Sequence, residues 1–203
     1  ELLKIIGGVG NDYVSASERN EGLIFEMGSG DDTVNGTKGD DIFRFAISEL
    51  TSGDSIGDSQ EGKDILEFTT SGSLSAENLF QLQGSGIKGL QLSSTGQNSV
   101  KLGEYSSGTF NSVRGGSATD VIDMTGRTGS TSVSTGAGSD TIVVSNKSSA
   151  DTISGQSGTD ILQISSAALL GNSISHISGG SNQDTLLLTD SLNTNGQELF
   201  SNL

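Results

Sequence analysis

Apolar residues recur along this chain in pairs two positions apart, and each pair stands two and four residues after an aspartate. Phe43 and Phe45 follow Asp41, Leu66 and Phe68 follow Asp64, Ile122 and Met124 follow Asp120, Ile142 and Val144 follow Asp140, Leu162 and Ile164 follow Asp160, and Leu186 and Leu188 follow Asp184. After Asp12 the pair is Val14 and Ala16, and after Asp32 it weakens to Val34 and Gly36. Period-two alternation of this kind predicts a strand with one buried face. A further apolar position lies seven residues before most of these aspartates, at Ile5, Phe25, Val34, Val113, Val133, Ile153 and Ile177. The repeating unit is therefore strand, turn, strand.

The turn between the two strands is glycine-rich. It reads Gly-Gly-Val-Gly-Asn-Asp12, Gly-Ser-Gly-Asp-Asp32, Gly-Thr-Lys-Gly-Asp-Asp41, Thr-Gly-Ala-Gly-Ser-Asp140, Gly-Gln-Ser-Gly-Thr-Asp160 and Gly-Gly-Ser-Asn-Gln-Asp184. Reversing a chain in so few residues needs positive φ, which glycine adopts without steric cost. The aspartates stand 20 residues apart from 12 to 32, from 120 to 140 and from 140 to 160, and 24 apart from 160 to 184. Steps of 9, from 32 to 41 and from 151 to 160, are about half of that interval. A coil of about 20 residues cannot bury its apolar face alone, so successive coils must stack.

The aspartate phrase divides the chain into two blocks, 1–68 and 113–203. Between them, 69–112 shows short alternating runs without the aspartate, and reads either as coils that have lost the motif or as a small cap. Ser75, with Asn78 three residues on, is a weak capping signal for one helical turn.

The paired motifs at Asp140 and Asp160, Gly-Ala-Gly-Ser-Asp-Thr-Ile-Val-Val and Gly-Gln-Ser-Gly-Thr-Asp-Ile-Leu-Gln-Ile, resemble the glycine- and aspartate-rich nonapeptide of the RTX (repeats-in-toxin) family. The resemblance implies an all-β fold, a right-handed parallel β-roll or β-helix solenoid with calcium-binding glycine-rich turns. It places Asp12, Asp32, Asp41, Asp140 and Asp160 in the ligand position, with Asp120 and Asp184 as further copies. Backbone carbonyls of the turns holding Gly8 and Gly10, Gly28 and Gly30, Gly36 and Gly39, Gly136 and Gly138, and Gly158 would complete the sites. Several turns depart from the pattern. Ala118 and Asn182 replace the fourth-position glycine before Asp120 and Asp184, Asp64 has only Gly62, and Asp151 has no glycine turn. An ion-free turn, its aspartate bonded to backbone, stays open as the alternative. It applies most to 113–203, where Ser or Thr replaces many second acidic residues, whereas Asp31–Asp32 and Asp40–Asp41 favour calcium.

Composition narrows the function. Hydrophobic residues are 31% of the 203, and 30 glycines supplement them, which predicts a folded chain with a thin core. A net charge of −15 with 10 basic residues argues against nucleic acid and for cations. No run is apolar enough for a membrane-spanning helix, cysteine and proline are absent, and the start at Glu1, without methionine or leader, suggests a piece of a longer protein. His176, the single histidine, is expected on a solvent-facing strand position, and no hydrolase or metalloprotease motif is present. The expected function is a non-catalytic, calcium-stabilised structural repeat of a bacterial surface layer, adhesin or filament. The alternative is a calcium-dependent folding and type I secretion module attached to a secreted hydrolase, epimerase or toxin. Calcium, further repeats or copies of the same chain, and a cell-surface polysaccharide are the expected partners.

Overall fold

The computed structural model describes residues 2–57, 61–79, 82, 85–103, 110–127, 129–145, 151–170 and 174–190. Its first half contains β1 (Leu3–Val9), β2 (Tyr13–Ser15), β3 (Leu23–Ser29), β4 (Thr33–Asn35), β5 (Ile42–Phe45), β6 (Ser55–Gly57), β7 (Ile65–Phe68), β8 (Ser73–Leu74) and β9 (Gly89–Gln91). There follow β10 (Asn98–Lys101), β11 (Ser112–Arg114), β12 (Asp120–Asp123), β13 (Ser132–Ser134), β14 (Thr141–Val144), β15 (Asp151–Ser154) and β16 (Ile161–Ile164). A short helix α1 (Ser166–Leu170) precedes β17 (Ile174–Ser178) and β18 (Thr185–Leu188).

Every odd-numbered strand joins one nine-stranded parallel sheet, in the order β1-β3-β5-β7-β9-β11-β13-β15-β17. The even-numbered strands return on the opposite side, as a three-stranded sheet β2-β4-β6 and then a six-stranded sheet running from β8 to β18. The chain is thus a parallel β-solenoid in which each coil contributes two strands. The sequence between the two motif blocks is continuous with this architecture, because β8, β9 and β10 pair into the same two sheets.

The period-two pattern sets the inward face. Phe25, Phe43, Phe45, Leu66 and Phe68 line the interior of the first half, while Val113, Ile122, Val133, Ile142, Ile153, Leu162 and Ile164 line the second. In-register pairing stacks like on like: Phe25 lies opposite Phe43, with ring centroids 5.2 Å apart and planes 11° from parallel. The outer face of the same strands carries an ion-pair row, Lys4–Glu26 and Arg44–Glu26 at 2.9 Å and Arg44–Glu67 at 2.6 Å. Hydrogen bonds from Lys4 and Arg44 hold the Glu26 carboxyl below its ordinary pKa.

Three features depart from the simple repeat. Ser75 and Asn78 do cap one another, with Ser75 Oγ donating to Asn78 Oδ1 at 2.8 Å, yet the segment is a turn and not a helix. Helix α1 occupies the longer interval before Asp184: Ser165 Oγ accepts the Ala168 N–H at 3.2 Å, and Ala168 is buried on the core. Arg127 is fully buried, donating to Phe110 O and Thr131 Oγ1. Burial pulls its pKa down, opposed by Asp151.

Stacked burial of this kind makes single inward residues expensive to lose. Phe43→Ala should cost about 3–5 kcal/mol, whereas Ile42→Ala on the outer face should cost well under half of that. Urea unfolding in calcium-containing buffer measures both; equal losses would contradict the assigned facing.

Candidate metal centre

Five corner turns share one backbone form. In Gly7–Asp12, Met27–Asp32, Thr135–Asp140, Gly155–Asp160 and Gly179–Asp184, the second and fourth residues have positive φ. These residues are Gly8 and Gly10, Gly28 and Gly30, Gly136 and Gly138, Gln156 and Gly158, and Gly180 and Asn182. Stacking adds a second demand at Gly28 and Gly158. A Cβ on either would fall inside the van der Waals envelope of the carbonyl one coil earlier, Gly8 O and Gly138 O respectively. Backbone stacks on backbone at these corners, and carbonyls pile into columns.

Each turn ends on its aspartate, whose Oδ1 replaces a backbone carbonyl in the coil-to-coil ladder. Asp32 Oδ1 accepts the N–H of Asp12 at 2.9 Å, and Asp54 Oδ1 that of Asp32 at 3.0 Å. On the six-stranded side the series runs Asn98 N–H to Asp120 at 3.0 Å, Asp120 to Asp140 at 2.7 Å, Asp140 to Asp160 at 2.9 Å and Asp160 to Asp184 at 3.0 Å. Where the chain returns to the nine-stranded sheet at β5, β7 and β15, Asp41 takes Leu23 N–H at 2.7 Å, Asp64 takes Asp41 N–H at 2.8 Å, and Asp151 takes Thr131 N–H at 2.9 Å.

The second oxygen separates most of these turns into two kinds, the Asp64 turn, with a single positive-φ residue at Gly62, belonging to neither. In the turns with two positive-φ residues, Oδ2 of Asp12, Asp32, Asp140 and Asp160 is buried and has no hydrogen-bond partner. Asp184 closes the fifth such turn and is half-buried. In the other kind, the turn's own backbone fills Oδ2: Thr37 N–H donates to Asp41 at 2.6 Å, Gly116 N–H to Asp120 at 2.7 Å, and Thr51 N–H to Asp54 at 2.6 Å. Thr37 Oγ1 adds a bond to Asp41 Oδ1 at 2.9 Å. No residue of the turns ending at Asp41 or Asp120 has positive φ. Gly36 N–H bonds Gly57 O, and Gly39 N–H bonds Thr37 Oγ1, both at 3.0 Å. The paired acids Asp31 and Asp40 are exposed, and Asp40 Oδ1 accepts Lys63 N–H at 2.9 Å.

An unpaired buried carboxylate is costly, and its proton affinity records the cost. Burial raises the Asp140 pKa to about 6, only partly offset by the Asp120 N–H and the nearby Thr135 hydroxyl, which itself donates to Gly155 O at 3.0 Å. The Asp120 and Asp160 carboxylates on either side push it up further. Asp32 and Asp160 are raised as well, again mainly by burial. A carboxylate oxygen without a donor, set among carbonyl columns, fits a hard cation such as calcium, which takes six to eight oxygen ligands. Among the described residues no three acidic or histidine side chains converge on one point, so the remaining ligands of such a site would be backbone oxygens.

Two members of the ladder are not marked by the sequence pattern. Asp54 follows Thr-Ser-Gly and stands 22 residues after Asp32, and Asn98 stands 22 before Asp120. Ile56 after Asp54, and Val100 and Leu102 after Asn98, carry the same +2 and +4 signal. His176 is exposed on β17.

A family model described as the RTX calcium-binding nonapeptide repeat (4 copies) matches residues 28–44 and 147–163. The chain carries RTX calcium-binding repeats at these positions, and each matched stretch includes one turn with an orphaned carboxylate oxygen, at Asp32 and at Asp160. No curated protein matches the chain.

The raised carboxyl groups give a pH dependence of definite sign. Asp140 holds its proton more tightly folded than unfolded, so the metal-free fold gains stability as pH falls from about 6 towards 3.8 and loses it as pH rises through 6. With chelator present, Tm should be higher at pH 5 than at pH 7.5, and Asp140→Asn should flatten the difference. A Tm that rises steadily with pH under chelator would contradict the assignment.

Proposed function

We propose that this chain is a non-catalytic structural module that works outside the cell, in a surface layer, adhesin or filament, and whose coils are locked by calcium. The observation that carries the reading is the set of four buried Oδ2 atoms without donors, at Asp12, Asp32, Asp140 and Asp160. Calcium would sit against these oxygens and the carbonyls of the same turns, with the half-buried Asp184 turn as a fifth site. The turns ending at Asp41, Asp54 and Asp120 close on their own N–H groups and stand without an ion.

A bound calcium ion supplies positive charge and a demand for many oxygen ligands. The protein's part is to line up the acceptors. Oδ1 of each aspartate holds the preceding coil through its N–H, which leaves Oδ2 fixed and desolvated beside the next turn. Without a counter-charge, neighbouring carboxylates along the corner repel, and the glycine-rich turns lose much backbone entropy on ordering. Folding is thereby coupled to the ion, and modules tuned to about 10⁻⁴–10⁻³ M calcium suit the extracellular medium.

An uncovered apolar coil face supports the structural reading. Strand β1 is an edge of the nine-stranded sheet, and its coil exposes Leu3, Ile6, Val9 and Tyr13, with Val9 at 90%. Such a surface suits another coil or a second copy.

Two substitutions test the sorting of turns. Asp140→Asn keeps an Oδ1 acceptor for Asp120 N–H and removes the buried charge, so it should stabilise the metal-free protein yet lose roughly one site's share of calcium stabilisation, about 2.7 kcal/mol at 100 times Kd. Asp41→Asn breaks bonds made within the protein, so it should lower Tm equally with calcium and with chelator. Circular dichroism melts across a calcium titration read both. If chelator leaves the parent Tm untouched, the calcium-locked reading fails; if the protein fractionates with cytosol in its producing cell, the extracellular placement fails.

A further inference from the structure

We propose that the outer face of the nine-stranded sheet, from β7 to β13, is a binding groove for a linear anionic polysaccharide bearing carboxylate or sulfate groups. In-register pairing places Ile65, Gly89, Ser112 and Ser132 in one outward row, with Glu67, Gln91, Arg114 and Ser134 in a second row beside it, where Glu67 is taken up by Arg44. Gly89 has no side chain between Ile65 and Ser112, so the face dips there. The resulting groove encloses about 380 Å³ and is rimmed by Lys63, Lys88 and Arg114. It adjoins a second depression of about 440 Å³ that shares Gln91, Ser112 and Arg114 and extends to Ser134 and Gln156.

The charge of this groove is opposite to that of the chain. The protein carries 25 acidic and 10 basic residues, yet among the described residues no acidic side chain lines either depression and three basic ones line the first. Lys4 and Arg44, on the same face nearer β1, are neutralised by Glu26 and Glu67. Lys63, Lys88 and Arg114 form no ion pair with any described carboxylate. The face therefore passes from internally paired charge to cations that point at an open groove.

The kind of anion follows from what surrounds the cations. Gln91, Asn111, Ser112, Ser134 and Gln156 offer amides and hydroxyls that donate and accept, which suits a polyhydroxylated ligand. Among the described residues no aromatic side chain lines the groove to offer the stacking platform that single-stranded nucleic acids use, and the overall negative field repels a dense polyphosphate. An extended peptide would need an open sheet edge, and β9 and β11 are paired on both sides. Parallel strands repeat every 4.7–4.9 Å along the solenoid, close to the length of one sugar unit, so successive coils meet successive sugars.

The test uses the full chain in calcium, titrated calorimetrically with oligosaccharides of hyaluronan (carboxylate only), chondroitin sulfate (carboxylate and sulfate), neutral dextran and a single-stranded DNA oligomer. At least one acidic glycan should bind while dextran and DNA do not, and the two acidic arms tell whether carboxylate suffices or sulfate is needed. Lys88→Ala combined with Arg114→Ala should weaken binding roughly tenfold or more. Gly89→Thr should weaken it comparably while removing no charge: Gly89 does not have positive φ, and an added Cβ would meet the Ile65 side chain at 3.2 Å and the Asp64 carbonyl at an ordinary contact distance of 3.8 Å. Lys101→Ala, on β10 of the six-stranded sheet, is the control, and Tm should be unchanged throughout. The proposal is overturned if neither acidic glycan binds, if Gly89→Thr and the double variant bind like the parent, if Lys101→Ala weakens binding as much, or if DNA binds as tightly.

Discussion

Coil-on-coil registry is the constraint on which the rest of this molecule depends. Within each sheet the strands bond their counterparts in the neighbouring coils, and at the corners, where the strand ladder would lapse, an aspartate Oδ1 takes the place of a carbonyl and carries the bonding round the bend. The carboxylate is thus an element of the backbone network before it is a ligand. It has two oxygens, and the ladder uses one. What satisfies the second is settled by the turn. When the second residue's N–H points inward, as at Thr37 and Gly116, the turn closes on itself; in four of the five turns whose second and fourth residues take positive φ, Oδ2 is left buried without a donor.

Much of the architecture was legible in the sequence because registry imposes spacing. The apolar positions seven before and two and four after each aspartate are the inward residues of paired strands, from Phe25 and Phe43 to Ile153 and Ile164. The difference between the two kinds of turn was harder to see, since both are rich in glycine and both end on aspartate. With the backbone known, the signal is local. Thr37 in the second position, β-branched, and Ala118 in the fourth each block the double positive-φ form that Gly136 and Gly138 adopt. Asp31 and Asp40 suggested extra ligands by adjacency, but neighbouring residues on an extended chain point to opposite sides, and both face water. Asp54 and Asn98 escaped notice because their turns lack the full glycine phrase, although the ladder needs only the acceptor oxygen. Arg127 had no sequence signature at all: its burial depends on Phe110 O and Thr131 Oγ1, which only the folded corner brings together.

The same registry sorts charge across the solenoid. Aspartates fall at the corners, where the ladder requires them, and so the negative charge is concentrated in columns along the axis. The faces of the nine-stranded sheet carry no such requirement, and their outward residues are free to be ion pairs at Glu26 and Arg44, or cations at Lys88 and Arg114 that pair with no described carboxylate. A cation at the corner reduces repulsion along its own column and leaves the face chemically unchanged. Stability and recognition then reside on different surfaces of one coil: altering the corner changes whether the coils hold together, and altering the face changes what the assembled coils can bind.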